Sequence, residues 1–161
     1  SLERYSTEIR KIFTPKEAHR ILVQKEIDEV RKKDSILVGV HIRRGDYKSF
    51  ENGKWYYEDG VYFRNMKKIQ EIFNQNGKQC SFFITSNEQI YLENFFGLTI
   101  FWKERHFITD LYSLAECDYI IGPPSTYSLW ATWYGAVPLF HIEHPECIVK
   151  EKDIPQPILF S

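Results

Sequence analysis

Seven residues in succession, Ile36-Leu37-Val38-Gly39-Val40-His41-Ile42, are almost wholly apolar, and the run stops at Arg43-Arg44. It is far too short to cross a bilayer as a helix, which takes roughly 20 residues. It also lacks the alternation of a strand with one wet face. What fits is a strand covered on both faces, the kind found in parallel sheets. Parallel neighbours cannot be joined by tight hairpins, so crossover segments must lie between this strand and the next.

The rest of the chain supplies them. Thr14-Pro15-Lys16-Glu17 reads as a capping box, with Thr14 as N-cap and Pro15 in the first helical position. The spacing of Ile21, Leu22, Ile27 and Val30 then predicts a helix up to a charged end at residues 31–33. After a polar, glycine-containing stretch from Gly45 to Gly60, residues 61–75 carry apolar side chains at helical spacing, with Gly77 placed as the C-terminal cap. Strands follow at 80–85, 98–101, 119–122 and 137–142. Helices are expected at 88–95, at 110–117 with Thr109 as N-cap, and from Ser125 to about Tyr134. Ile154-Pro155-Gln156-Pro157 reads as an extended tail. The fold class expected is α/β: a doubly wound, mainly parallel sheet with helices on both faces.

A chain of 161 residues has the size of one domain, so residues 1–161 are read as a single unit with peripheral segments at 1–15 and 150–161. Twenty-one Lys and Arg against 22 Asp and Glu leave a net charge of -1, which offers nucleic acid no overall basic field. Any anion site must be local. Cys80, Cys117 and Cys147 are odd in number and widely spaced, which argues against a disulfide framework and for a reducing, cytoplasmic setting. No metal-ligand spacing, no membrane-spanning run and no signal-like start is evident.

Ligands of open α/β sheets bind beyond the carboxyl ends of the strands. Three strand ends carry suitable chemistry. His41-Ile42-Arg43-Arg44-Gly45-Asp46 places an imidazole, two guanidinium groups and a carboxylate together. Consecutive side chains of a strand point to opposite faces, so one arginine is expected in the ligand crevice and the other against a structural carboxylate. Arginine suits a diphosphate because its planar fork gives paired, charge-assisted hydrogen bonds. A structural ion pair with Asp46 is the competing explanation, and an exposed Arg-Gly-Asp adhesion tripeptide fits poorly beside a buried strand. Pro124-Ser125-Thr126-Tyr127-Ser128 opens a helix with small hydroxyl residues, a place for an anion as well as a plain cap. Ser86 and Asn87, after the strand at 80–85, offer hydrogen bonds to a base or ribose, or simply start a turn.

With those segments in order, the chain resembles the α-1,2-fucosyltransferase family and its relatives, the α-1,6-fucosyltransferases and protein O-fucosyltransferases. The match rests on a His-x-Arg-Arg-x-Asp signature at His41, Arg43, Arg44 and Asp46. It rests also on Asp110-Leu111, Leu114 and Cys117 followed by Ser125-Thr126-Tyr127-Ser128-Leu129-Trp130-Ala131, and covers roughly residues 36–142. The resemblance implies a metal-independent, inverting GT-B enzyme that transfers fucose from GDP-fucose to a glycan hydroxyl. Within it, Arg43 would hold the diphosphate and Arg44 would support the loop through Asp46. His41 would lie near the nucleotide, and Ser125, Thr126 and Ser128 would close around the phosphates. Glu51, in the loop after the signature, where some relatives carry an acidic residue, would be the base for the acceptor hydroxyl, against the alternative of a solvated loop carboxylate; Trp55, Tyr56 and Tyr57 of the same loop offer rings either to an acceptor sugar or to cover the sheet edge. Relatives carry Ser-Asp-Asp where this chain has Ser86-Asn87-Glu88. A GT-B enzyme needs two such halves, so an N-terminal acceptor domain would lie outside these residues. The competing expectations are a non-catalytic nucleotide-binding module without that domain, and a protein-interaction domain whose arginines are structural.

Overall fold

The computed structural model describes residues 2–31 and 35–160. Its centre is a five-stranded, wholly parallel sheet in the order β3-β2-β1-β4-β5. The strands are β1 (Ser35–Ile42), β2 (Gln79–Ser86), β3 (Ile100–Phe101), β4 (Tyr119–Gly122) and β5 (Leu139–His141). The chain winds outward from β1 through β2 to β3, then returns past β1 to β4 and β5. That reversal sends the later helices to the opposite face of the sheet.

The period of two in β1 divides the core. Val38, Val40 and Ile42 face α3 (Asp59–Gln75) and pack with Tyr62, Met66, Ile69 and Phe73. Leu37 faces the other way, with Phe83 of β2, against Val23, Ile27 and Val30 of α2 (Glu17–Val30) and Tyr112 of α4 (Phe107–Leu114). Ile120 of β4 packs on that side with Leu114 of α4 and Ala131 of α5 (Thr126–Gly135). Gly39 shares the Leu37 face and has no room for more: a Cβ there would stand 2.7 Å from the Leu114 side chain. Its missing side chain lets α4 lie close on the sheet.

Several boundaries differ from the sequence-based expectation, each for a local reason. Thr14 does not cap the next helix; its hydroxyl donates back to the Arg10 carbonyl of α1 (Leu2–Ile12), and α2 begins after Lys16. Most of the segment before residue 15 is the helix α1, and its described side chains are exposed or half-buried. Arg10 donates to the carbonyls of Trp133 and Tyr134 at 2.7 and 3.1 Å, and the Phe13 ring meets Trp130 edge-on. Of the charged end at 31–33, Arg31 pairs with Asp118 at 2.9 Å, and residues 32–33 lie outside the described residues. The helix expected at 88–95 is a single 3-10 turn, Leu92–Phe95, because the two buried residues of that segment, Ile90 and Phe95, stand five apart and share no helical face. The helix expected at 110–117 starts three residues earlier. His106 caps it, accepting from the Ile108 N–H, while Thr109 sits inside it facing His19. The strand at 137–142 shortens to β5, since Ala136 turns left-handed with φ 53°. The tail closes on itself in α6 (Gln156–Leu159), which buries Leu159 in the α3-side core.

Among the described residues, no helix is long and apolar enough to cross a membrane.

Candidate functional site

The sheet reverses its winding at β1 and β4, and the crevice beyond their carboxyl ends is where such sheets bind ligands. A groove of about 420 Å³ lies there, lined by Arg43, Asp46 and Tyr47 from the β1 exit and by Pro124, Ser125, Thr126 and Leu129 from the β4 exit, with Phe50 and Trp55 along one wall. The Tyr47 hydroxyl donates to the Pro124 carbonyl at 2.8 Å, tying the two exits together. Tyr47 and Phe50 stack at 5.2 Å between centroids, and Phe50 and Trp55 follow at 6.0 Å.

The two arginines separate as strand alternation requires. Arg43 shares the face of Leu37, Gly39 and His41 and enters the groove, its side chain 30 % exposed and its Nη2 donating to Asp46 at 3.0 Å. Arg44 shares the face of Val40 and Ile42 and is sealed inside. Its Nε donates to the Tyr57 carbonyl at 3.0 Å, and its Nη2 is paired with Asp59 in the first turn of α3. The expectation that Arg44 would brace the loop through Asp46 is therefore corrected: Asp46 belongs to Arg43, and Asp59 to Arg44. Tyr57 likewise lines no sugar site. It is buried, donating to the Ile142 carbonyl.

Gly45 turns the chain with φ +65°, and a Cβ there would stand 3.0 Å from the Asn87 amide. That closeness allows Asn87 to grip the Arg44 backbone at both ends. Its Oδ1 accepts from the Arg44 N–H at 2.9 Å and its Nδ2 donates to the Arg44 carbonyl at 2.8 Å. Asn87 thus clamps the loop instead of presenting a free amide. The Ser86 hydroxyl accepts from the Glu88 N–H at 3.1 Å, a turn cap.

At the start of α5, Ser125 accepts from the Ser128 N–H at 3.0 Å, and the two hydroxyls lie 2.9 Å apart. Ser128 is fully buried and its hydroxyl also donates to the Ser125 carbonyl, so it builds the cap and does not reach the groove. Thr126 does reach it. The first N–H groups of a helix lack intrahelical acceptors, which leaves this end of α5 suited to an anion.

Glu51 is not among the groove-lining residues. Its carboxylate pairs with Lys54 at 3.5 Å, both side chains being about half exposed, and its backbone is left-handed at φ 49°, followed by Asn52 at 59° and Gly53 at 73°. Three left-handed residues in a row turn Glu51 away while Phe50 and Trp55, on either side, line the groove.

Beside Arg43 a small cavity of about 100 Å³ opens between β1, β2 and α4. His41, Thr85, Ser86, Asn87, Arg105, Phe107, Asp110 and Tyr127 surround it with Arg43. His41 is stacked on Tyr127 at 4.7 Å, and its Nδ1 shares a hydrogen with Thr85 Oγ1 at 3.2 Å. Burial, helped by the Arg43 charge, holds the imidazole down at about 3, so it is neutral at working pH. Its Nε2 is buried without a partner. Such an atom costs about 1–3 kcal/mol unless a ligand or water meets it. Asp110 is buried as well, and burial pushes its carboxyl up to about 7 against the pull of Arg105. No described residue donates to its Oδ2.

Asp110, Arg105 and Tyr127 were not singled out as site residues by sequence reasoning. Pairing register carried part of the signal, because His41 and Thr85 are opposite one another in β1 and β2. Nothing local marks Arg105, which arrives from the loop after β3.

The sequence model of a family described as Glycosyl transferase family 11 matches residues 2–137. No curated protein matches the chain. Among solved structures, the chain is similar to the fucosyltransferase NodZ from Bradyrhizobium, with a TM-score of 0.50 and 16% identity over 80% of this chain and 45% of that one. It is similar to a NodZ alpha-1,6-fucosyltransferase co-crystallized with GDP, with a TM-score of 0.50 and 17% identity over 78% of this chain and 44% of that one. At that identity the likeness is one of fold. The chain spans less than half the length of these structures.

Proposed function

The chain belongs to glycosyl transferase family 11, and from that premise we propose that residues 1–161 form the donor-binding half of a fucosyltransferase that uses GDP-fucose. One observation carries this most: Arg43, a cation that cannot lose its charge, lines the same groove as the start of α5 at the point where the sheet reverses. A diphosphate laid there meets the guanidinium on one side and the Ser125–Thr126 helix start on the other. The adjoining cavity, with neutral His41 and the free Asp110 oxygen, suits a flat base presenting neighbouring N–H donors, as guanine does.

In the reaction, the acceptor oxygen attacks the anomeric carbon while the bond from that carbon to the diphosphate breaks. The electron pair leaves with GDP. Arg43 stabilises the charge gathering on the leaving oxygen more than it stabilises the bound donor, which lowers the barrier. The acceptor proton needs a carboxylate, and Glu51 is assigned that role. Its exposed pair with Lys54 is worth under about 1 kcal/mol, so that pair does not hold it back, and reaching an acceptor requires the 51–53 turn to reorient. The glycan acceptor is taken to sit between this half and an N-terminal one that these residues do not contain. Inversion, an α-1,2 linkage and independence from metal belong to this proposal. The three cysteines are free, which supports a reducing compartment such as the cytoplasm.

A second possibility, a nucleotide-binding module without catalysis, is favoured by one feature. Among the described residues, the only carboxylate lining the groove, Asp46, is occupied by Arg43.

Calorimetry separates these. GDP and GDP-fucose should bind, UDP-sugars should bind more weakly, Arg43→Ala should weaken GDP binding about a hundredfold, and a chelator should change nothing. Absence of any nucleotide binding would overturn both possibilities. Fucose transfer, with the linkage and anomeric configuration read by NMR, divides enzyme from module.

A further inference from the structure

A chain of buried charges runs behind the small cavity. Glu26 of α2 is paired with Arg105 Nε, and Arg105 Nη1 reaches the Ile84 carbonyl at 3.2 Å, the Lys103 carbonyl at 3.3 Å and Asp110 Oδ1 at 3.4 Å. The side chains of Glu26, Arg105 and Asp110 are 9, 4 and 6 % exposed. Lys103 closes the outer end on Glu26 at 3.0 Å. The guanidinium also lies 4.2 Å above the Phe83 ring. Such a network is a poor way to gain stability, since apolar groups of the same volume serve as well or better. Its inner end, however, is a carboxylate that faces a cavity with one oxygen unclaimed.

We propose that Arg105, anchored by Glu26, is a positioning residue for nucleotide binding: it fixes the Asp110 carboxylate at the wall of the cavity beside His41, ready to accept the N–H groups of a base. This rests on the donor-site assignment above and adds a layer that touches no ligand. Four contacts restrain Arg105, so its position does not depend on the ligand. Asp110, held through Oδ1 alone, can turn Oδ2 to the base.

The charges around Asp110 make the idea testable by sign. Arg105 from the segment before α4, His41 at the end of β1, Arg43 just after it and Tyr127 of α5 share the cavity wall with Asp110, and Glu26 of α2 stands behind Arg105. Arg105 favours the carboxylate and Glu26 opposes it. Base binding through an ionised Asp110 should therefore weaken as pH falls through about 7. Glu26→Gln removes an opposing charge and should move that midpoint down. Arg105→Gln removes a supporting charge and should move it up. Each shift is expected to be about one pH unit, which at pH 7 makes GDP binding about fivefold weaker in Arg105→Gln.

The experiment titrates GDP and inorganic pyrophosphate against the wild-type chain, Glu26→Gln, Arg105→Gln and Arg105→Lys from pH 5.5 to 8.5, with circular dichroism to verify folding. Opposite midpoint shifts for GDP, with pyrophosphate affinity unchanged, support the proposal. Shifts of the same sign, no shift in folded variants, or parallel losses for GDP and pyrophosphate overturn it. Should Arg105→Gln fail to fold, the downward shift in Glu26→Gln decides alone. If the wild-type chain binds neither probe, the donor-site assignment itself falls. If it binds GDP with a midpoint indifferent to both charges, only the positioning role is lost.

Discussion

The two sides of the β1 exit hold the same residue type one position apart and put it to opposite uses. On the groove side, Arg43 is partly exposed and held by one exposed carboxylate, free to exchange Asp46 for a ligand. On the core side, Arg44 is buried under the first turn of α3, with Asp59 and the Tyr57 carbonyl as fixed partners. The difference teaches that a guanidinium's function is decided by what its surroundings leave unsatisfied, and a pair of like residues should never be assigned as a pair.

The sharpest way to break that contrast is Arg44→Ala. Asp59 would be left half-buried and uncompensated, and the fold should lose about 3 kcal/mol in denaturant unfolding. An Arg44→Ala chain of unchanged stability that no longer binds GDP would reverse the roles assigned here. Arg43→Ala should do the converse: stability within about 0.5 kcal/mol of wild type, with GDP affinity down about a hundredfold, or about 2.7 kcal/mol.

A third measurement sharpens the groove side. His41 stays neutral in the folded chain but takes up a proton near its ordinary 6.5 when unfolded. Its contribution to stability is complete above 6.5 and is lost as pH falls toward 3, about 2 kcal/mol by pH 5. The His41→Asn chain should lack that slope in unfolding curves between pH 6.5 and 5; an identical slope would show that His41 is not buried neutral. The smallest effect concerns the tie between the two exits. Tyr47→Phe removes the bond to Pro124 and should cost about 1 kcal/mol. GDP should still bind, with faster dissociation in stopped-flow traces.

Much of this was legible in the residues because period-two alternation is strict. The run from Ile36 to Ile42 specified a strand covered on both faces, and its parity required Arg43 and Arg44 to part company. Which arginine went where was not legible, because the deciding partner, Asp59, lies 15 residues on, in a helix whose docking is a tertiary event. The same limit hid Arg105, joined to Glu26 from a distant helix, and with it the place of Asp110, which the sequence shows only as part of the family motif. Ser125 is the cap its place before the helix predicts, whereas Ser128, three residues in, lies one turn on and its hydroxyl bonds backward to the Ser125 carbonyl. Helix starts failed where a side chain found a better acceptor locally, as Thr14 did on Arg10.

The alternation of β1 also bears on what evolution can do with this segment. Substitutions between Ile36 and Ile42 exchange one side chain at a time, but inserting or deleting a single residue ahead of Arg43 would rotate everything after it by half a turn. The cation of the groove would be driven under α3 and its neighbour thrust outward without a cage. Sequence may drift here, whereas the count of residues between the strand's pairing partners and its paired guanidiniums is locked, and lineages carrying this site should differ in loops long before they differ in that interval.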